Sequence, residues 1–245
     1  MRFKALKNRK IHRWLTLLFG IQLIIWSISG AFMVVLQLPY IHGDHLVRQA
    51  DQRISNFELL DKIPELSRTL PQVTEARLVN RYINGAYQHI FVVSESAGKR
   101  LVNPSDFTDI SISEDDIREL AIRSYNAPNG DSRSEIKSVE LLTDQAPSEL
   151  SPTHLPAWRV EFSDRRATTF YLAKDTGDLL TKRHNAWRVF DFMWMMHIMD
   201  YENRSDITTP WIKFFSIMTL LIALSGTALL TQKLLSRPWR RIWGD

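Results

Sequence analysis

Two uncharged apolar segments bracket this chain, Trp14 to Leu38 and Phe214 to Gln232, and neither contains a Lys, Arg, Asp, Glu or His. About 20 apolar residues in helical form cross the hydrocarbon core of a bilayer, and a core helix of a soluble protein rarely runs so long without a charge. The pattern predicts two transmembrane helices around a polar body. The expected class is therefore a membrane-anchored α+β protein in which two transmembrane helices bracket an exported domain.

Charge gives the expected orientation. Arg2, Lys4, Lys7, Arg9, Lys10 and Arg13 precede the first segment, with no acid among them. Lys233, Arg237, Arg240 and Arg241 follow the second, opposed only by Asp245. The whole chain carries just +4, so the part between the basic ends is net negative. Basic residues flanking a span stay on the cytoplasmic side. Both termini are thus expected in the cytoplasm and the middle in the periplasm, as a two-pass protein of a bacterial inner membrane. The pI near 9.4 describes these basic ends and does not point to nucleic acid. Ser27 and Ser29 have the small-x-small spacing of a cleavage site, but the apolar run far exceeds a signal peptide's 7–15 residues, which favours an uncleaved span. Trp14, Trp239 and Trp243 fall near the inner boundary and Trp187, Trp194 and Trp211 near the outer one, with Tyr40 and Tyr201 beside them, as amphipathic rings do at headgroup depth. The chain has no Cys, which excludes disulfides, thiolate metal sites and covalent c-type haem.

The exported part reads as two helix-then-hairpin units. Ser55 with Glu58 forms a capping-box signature before Phe57, Leu60, Ile63 and Leu66, with Pro64 inside the run as a shortening or kinking element. Strands 76–83 and 86–93 flank Asn84-Gly85, the strongest short hairpin signal, and a third strand is expected at 99–102. The pattern restarts at Ser113 and Asp116 with Ile117, Leu120, Ala121 and Tyr125 at helical spacing. Strands are then expected at 135–142, 157–163, 167–173 and 178–182, the last two separated by Asp175-Thr176-Gly177.

The run Leu155-Pro156-Ala157-Trp158-Arg159-Val160-Glu161-Phe162, the Phe170-Tyr171-Leu172 strand and the Asp175-Thr176-Gly177-Asp178 turn resemble a PepSY domain. The segment from Trp187 to Tyr201 looks like the piece that joins such a domain to its last span. Arg9-Lys10-Ile11-His12-Arg13-Trp14-Leu15, with Ser27, Ser29 and Gly30 further on, resembles the PepSY-associated transmembrane helix. The likeness covers both spans and roughly residues 113–201, and matches residues 45–110 less closely. It implies a fold of helix plus antiparallel sheet and does not specify an activity. PepSY domains are known as inhibitory modules of thermolysin-like protease propeptides and as parts of membrane proteins. Longer membrane relatives include siderophore-iron reductases, which bind haem through intramembrane histidines and have more spans than the two seen here. The organisation read from residues and resemblance together is a basic tail at 1–13, a transmembrane helix at 14–38, an exported α+β unit at 39–110, a PepSY-like domain at 111–186, an interfacial aromatic- and Met-rich segment at 187–210, a transmembrane helix at 211–232 and a second basic tail at 233–245.

His12 and His197 are the candidate ligands of a b-type haem, whose axial ligands must come from neighbouring helices at matching depth. His12 sits at the inner end of the first span and His197 at the outer boundary, some 30 Å apart if the helix crosses fully. One chain therefore cannot place both on one haem; a second copy pairing His12 with its mate, or His197 with His42 or His45, stays open. The competing reading makes His12 an interfacial residue and His197 a packed one, so no cofactor is preferred over haem. His42-x-x-His45 with Asp44 between is a candidate metal pair, against the alternative of two loop histidines spaced by chance. Phe190, Met193, Trp194 and Met196 form the candidate interaction face, by docking onto the outer leaflet, by binding a partner adaptably, or by packing on the strands. Ser27, Gly30 and Ala31 in one span and Ser225 and Gly226 in the other are small residues that permit close helix approach, expected within one chain with a homodimer as the alternative.

No Gly-x-Ser-x-Gly, His-Glu-x-x-His or phosphate loop is present, which does not favour an enzyme. Three functions follow: a tethered module that binds or regulates an envelope partner such as a protease or transport complex, a haem-bearing electron-transfer component, or an accessory subunit of a larger membrane complex.

Overall fold

The computed structural model describes residues 2–48, 57–127 and 135–235. The chain divides into two compact units, Met1–Gln37 with Val189–Asp245, and Leu38–Arg188. In chain order the elements are α1 (Arg2–Val35), α2 (Leu38–Ile41), α3 (Ile63–Thr69), β1 (Glu75–Ile83), β2 (Ala86–Glu95), β3 (Gly98–Val102), β4 (Asp109–Ile110), α4 (Glu114–Ser124), β5 (Ile136–Leu142), β6 (Ala157–Phe162), β7 (Thr169–Ala173), β8 (Leu179–Arg183), α5 (Asn185–Ile198) and α6 (Pro210–Leu235).

The unit built from the chain ends is helical. The helix α1 starts at Arg2, so the basic stretch ahead of Trp14 is its first turns rather than a separate tail. The helices α1 and α6 pack antiparallel, with the Phe19 ring edge-on to Phe214 and Phe215 at 5.8 and 6.1 Å. Most of their apolar surface stays uncovered: only 6% of the most apolar stretch of either helix is buried. Both helices are long and apolar enough to cross a membrane.

The second unit holds two four-stranded antiparallel sheets, ordered β1-β2-β3-β4 and β5-β6-β7-β8. Each follows a helix, so the helix-then-strands order occurs twice. In the first, residues Phe57–Lys62 form a 3₁₀ helix that leads into α3. Pro64 falls in the first turn of α3, where its missing N–H has no carbonyl to serve, so it opens a helix instead of kinking one. Ser55 lies outside the described residues. Leu66 of α3 packs with Leu78, Phe91, Val93 and Val102 on one face of the first sheet, while Ile83, Ile90, Val92 and Leu101 bury the other. Asn84 and Gly85 take φ +52° and +80°, the left-handed pair that a two-residue hairpin turn requires.

The second sheet is covered by α4, whose Ile117 and Ala121 meet Val160, Phe162, Phe170 and Leu172. Ser113 caps α4: its hydroxyl accepts from the Asp116 N–H, and the Asp116 carboxylate accepts from the Ser113 N–H. The same carboxylate accepts from the Asn84 N–H at 2.8 Å, tying the first hairpin to α4. Burial by itself would raise the Asp116 carboxyl, but the donors from Ser113 and Asn84 outweigh it and hold it below its ordinary value. A second tie runs the other way. Arg81 of β1 donates to the Thr176 carbonyl and to Asp178, both 2.5 Å, and Arg77 donates to the other Asp178 oxygen at 3.4 Å.

Gly177 makes that turn possible, at φ +63° with Leu120 Cδ1 only 2.8 Å from where a Cβ would stand. Gly85 has the same kind of φ but open space around it. Gly85→Ala is expected to destabilise by about 1 kcal/mol from conformation alone. Gly177→Ala should add an overlap term of about 1–3 kcal/mol, read as a distinctly lower Tm in thermal unfolding followed by circular dichroism. Equal Tm losses in the two variants would mean the Leu120 contact is not a constraint.

Candidate functional site

Each of the two long apolar helices carries a Ser-Gly pair, and the structure sets one histidine against each. On the first, the Cβ position of Gly30 lies 3.0 Å from His197 Cε1, and on the second that of Gly226 lies 3.2 Å from His12 Cε1. The serines supply the hydrogen bonds. Ser225 donates its hydroxyl proton to the Ile222 carbonyl at 2.9 Å, so its oxygen accepts from His12 Nδ1–H at 2.8 Å. Ser29 likewise donates to the Ile25 carbonyl, and its oxygen lies 3.2 Å from His197 Nδ1, which also donates to the Trp26 carbonyl at 3.2 Å. A carbonyl can only accept, so the proton of His197 is on Nδ1 and its Nε2 keeps a lone pair. The Trp26 ring lies 5.5 Å from the His197 ring.

This arrangement corrects the small-residue reading. Ser29, 1% exposed, is the serine that faces inward. Ser27 and Ala31 are exposed. Gly30, Ser225 and Gly226 do lie in the joints.

The two histidines do not come together. His12 is 18 positions before Gly30, the residue that His197 touches, and at about 1.5 Å per residue this is roughly 27 Å along α1. They do not fit as the axial pair of one haem.

Of the proposed interaction face, Trp194 is engaged, with its Nε1–H donating to the Arg204 carbonyl at 2.9 Å. Phe190, Met193 and Met196 are half-buried, and the exposed apolar residues of α5 are Val189 and Phe192. Arg204 also pairs with Asp191. The connection to α6 is built on Asp200, whose carboxylate accepts the backbone N–H groups of Asp206, Ser205, Asn203 and Glu202, which hold its carboxyl down to about 2.

In the other unit His42 and His45 part ways. His42 is exposed, whereas the His45 ring stacks on Tyr40 at 4.7 Å and its Nε2 accepts from Arg166 at 2.9 Å. A guanidinium thus occupies one of the two ring nitrogens through which His45 could hold a metal. Among the described residues no three His, Asp or Glu converge to hold a metal ion. The partner that sequence reasoning missed is His184, 1% exposed, edge-on to both Tyr40 and His45 at 5.6 Å. Its Nε2–H donates to the Tyr40 and Ile41 carbonyls, 3.1 and 3.2 Å away, which pins α2 beside the end of β8. Nothing in the sequence links a histidine after one strand to a short helix 143 to 144 positions earlier.

Burial lowers both His184 and His45 below the ordinary histidine value, and Arg166 pushes in the same direction. The unfolded chain then binds protons at these sites more readily than the folded one, so their neutral forms add stability above about pH 6.5 that is lost as pH falls below it. The Tm of the purified chain should drop between pH 7.5 and 5.5, above the range where carboxylates titrate. Replacing His184 with Asn should flatten that slope; an unchanged slope would count against this cluster.

Gly30→Ala should cost about 1–2 kcal/mol by crowding His197, while Gly20→Ala, whose nearest neighbour is 3.7 Å away, should be neutral or stabilising in a helix. Unfolding in mixed micelles separates the two.

Comparison with protein-family models, with curated proteins and with solved structures finds no match to the chain.

Proposed function

We propose that this chain is a two-pass membrane protein that holds its α+β body, residues 38–188, on the exported face of a bacterial inner membrane as a PepSY-like module that binds or regulates an envelope partner such as a protease or transport complex. One observation carries the membrane part. Ile21, Ile24, Ile28, Val34 and Val35 of α1 are 57–87% exposed, and Ile217, Leu220, Leu224, Leu230 and Leu235 of α6 are 56–81% exposed. Each such side chain left in water forfeits roughly 1–2 kcal/mol, and together they rival the net stability of a whole domain. A hydrocarbon surround removes that penalty. The basic flanks support cytoplasmic ends. The twofold helix-then-four-strand order, with Tyr171, Phe170 and Leu172 buried in β7, supports the PepSY-like reading of the body.

A binding role is favoured over catalysis by how the polar groups are used. Asp116, Asp178, Arg77, Arg81, Arg166, His12, His45, His184 and His197 are engaged in ties that hold elements together. The test is topology first. Alkaline phosphatase inserted in the loop 143–151 should be active, and a fluorescent protein fused after Asp245 should fluoresce in the cytoplasm. The reverse pattern would overturn the orientation. Photo-crosslinking from Tyr87, 59% exposed at the end of the first hairpin, is expected to capture an envelope protein; its absence in living cells would remove the partner from the proposal.

The haem reading keeps one supporting observation, that each Nδ1 is held and each Nε2 is left with a lone pair, the way ligating imidazoles are oriented. The separation of His12 from His197 weighs against it. The purified protein is expected to be colourless, and a Soret band lost in His12→Ala or His197→Ala would replace the binding module with an electron-transfer component.

A further inference from the structure

The geometry points to a binding site for an anionic phospholipid on α1, in the leaflet next to the basic ends of both helices. It rests on the membrane reading above. Lys10, Ile11, Trp14, Leu15 and Leu18 line one shallow groove along the helix surface. These positions follow helical spacing, so the groove climbs about 12 Å with its cation at the lower end. Trp14 is 50% exposed and Leu18 67%, open to the surround and not covered by α6. A phosphate at Lys10, a glycerol backbone beside the Trp14 ring and an acyl chain along Leu15 and Leu18 match the groove from its wet end to its dry end.

Two further observations single out an anionic headgroup. First, Arg9, Lys10 and Arg13 are clustered on a helix that contains no acid, and among the described residues none of the three has an ion-pair partner. Second, the two spans are offset. His12 sits against Ser225 and Gly226, and the uncharged part of α6 continues seven residues past Ser225, about 10 Å further toward the start of α1. Arg9 and Lys10 are therefore level with Thr227, Ala228 and Leu229 of α6, and Leu230, one residue beyond that level, is still 57% exposed. Covering those leucines with hydrocarbon brings the bilayer down to the depth of the cations. Charges at that depth are accommodated by snorkelling and by local thinning, which draw headgroup phosphates toward them. A headgroup with net negative charge satisfies three cations that have no ion-pair partner among the described residues; a zwitterionic one does not.

A comparable groove at the other end of α6 provides the contrast. It also contains a single lysine, Lys213, with an acid nearby: Asp206, whose carboxyl is held down chiefly by the Thr208 hydroxyl and N–H and, to a smaller extent, by Lys213.

The test uses the full chain in vesicles of phosphatidylcholine with or without phosphatidylglycerol, either lipid carrying bromines on its acyl chains to quench tryptophan. The Trp14 signal is taken as wild type minus Trp14→Phe. Brominated phosphatidylglycerol is expected to quench it at about a tenth of the mole fraction that brominated phosphatidylcholine needs. The preference should vanish in the Lys10→Gln/Arg13→Gln double variant, survive in Lys10→Arg and Lys213→Gln, and weaken in high salt. Equal quenching by the two lipids, or a preference that the double variant keeps, would overturn the site. Flotation separates this failure from a failure of the membrane reading: protein that floats with vesicles of both compositions but shows no preference refutes the lipid site alone. Protein that fails to float refutes both.

Discussion

Two carboxylates hold the body between Leu38 and Arg188 as one piece. Asp116 and Asp178 both belong to the second helix-and-sheet set, and both accept hydrogen bonds from the first: Asp116 from Asn84, Asp178 from Arg77 and Arg81. A hydrogen bond to a charged group is worth about 1.5–3 kcal/mol, and a buried acceptor left without donors loses more than that. The two ties sit on the turns, Asn84-Gly85 and Asp175-Thr176-Gly177, so each sheet is positioned by the other's hairpin. The apolar clusters alone would leave the sheets free to slide, because hydrophobic contact has no direction. Arg123 over the Tyr82 ring at 3.7 Å adds a third contact across the same seam.

Those turns were legible in the sequence for local reasons. Asn-Gly between two β-rich runs demands left-handed φ at both positions, and a Ser with an acid three residues on demands a cap. Both signals are complete within a few residues. The ties were not legible, because Asp116 reads as a cap and nothing more until Asn84 is brought to it from 32 positions away. His184 is the same case in the histidine cluster. The Phe57–Leu66 run was read as one helix with a flaw at Pro64, whereas Pro64 lies in the first turn of α3 and the chain before it is 3₁₀. The proline's fixed φ suits a first helical turn better than a middle one.

The two long apolar helices were legible by length and composition but not by face. A helix that is apolar all round has no amphipathic stripe, so periodicity says nothing about which side meets a neighbour. Ser27 and Ser29 are indistinguishable in that sense, and Ser29 is the one turned inward because His197 approaches there. Apolar helices in lipid gain little from burying apolar faces against each other; association comes from close packing and hydrogen bonds. The Ser-Gly pairs supply both at one place, the glycine by leaving room for an imidazole and the serine by accepting its proton.

That economy explains the spacing of the two joints. The helix α1 has 34 residues and α6 has 26, and their contacts run from His12 and Ser225 up to Phe19 and Phe214. Above that level α6 has few residues left before Pro210, and the neighbour that α1 meets at Trp26, Ser29 and Gly30 is His197 of α5. One joint thus locks α1 to α6 and the other locks it to α5, with the Asp200 loop between them. Losing the His197 joint would leave α1 held only along α6, between His12 and Phe19, with nothing fixing its far end near Gly30. A single interhelical hydrogen bond in lipid contributes only about 0.6–2 kcal/mol, too little to fix an orientation from one end. Two such bonds about 27 Å apart resist tilting through their lever arm, which is why their separation, fatal to a shared haem, suits a mechanical role.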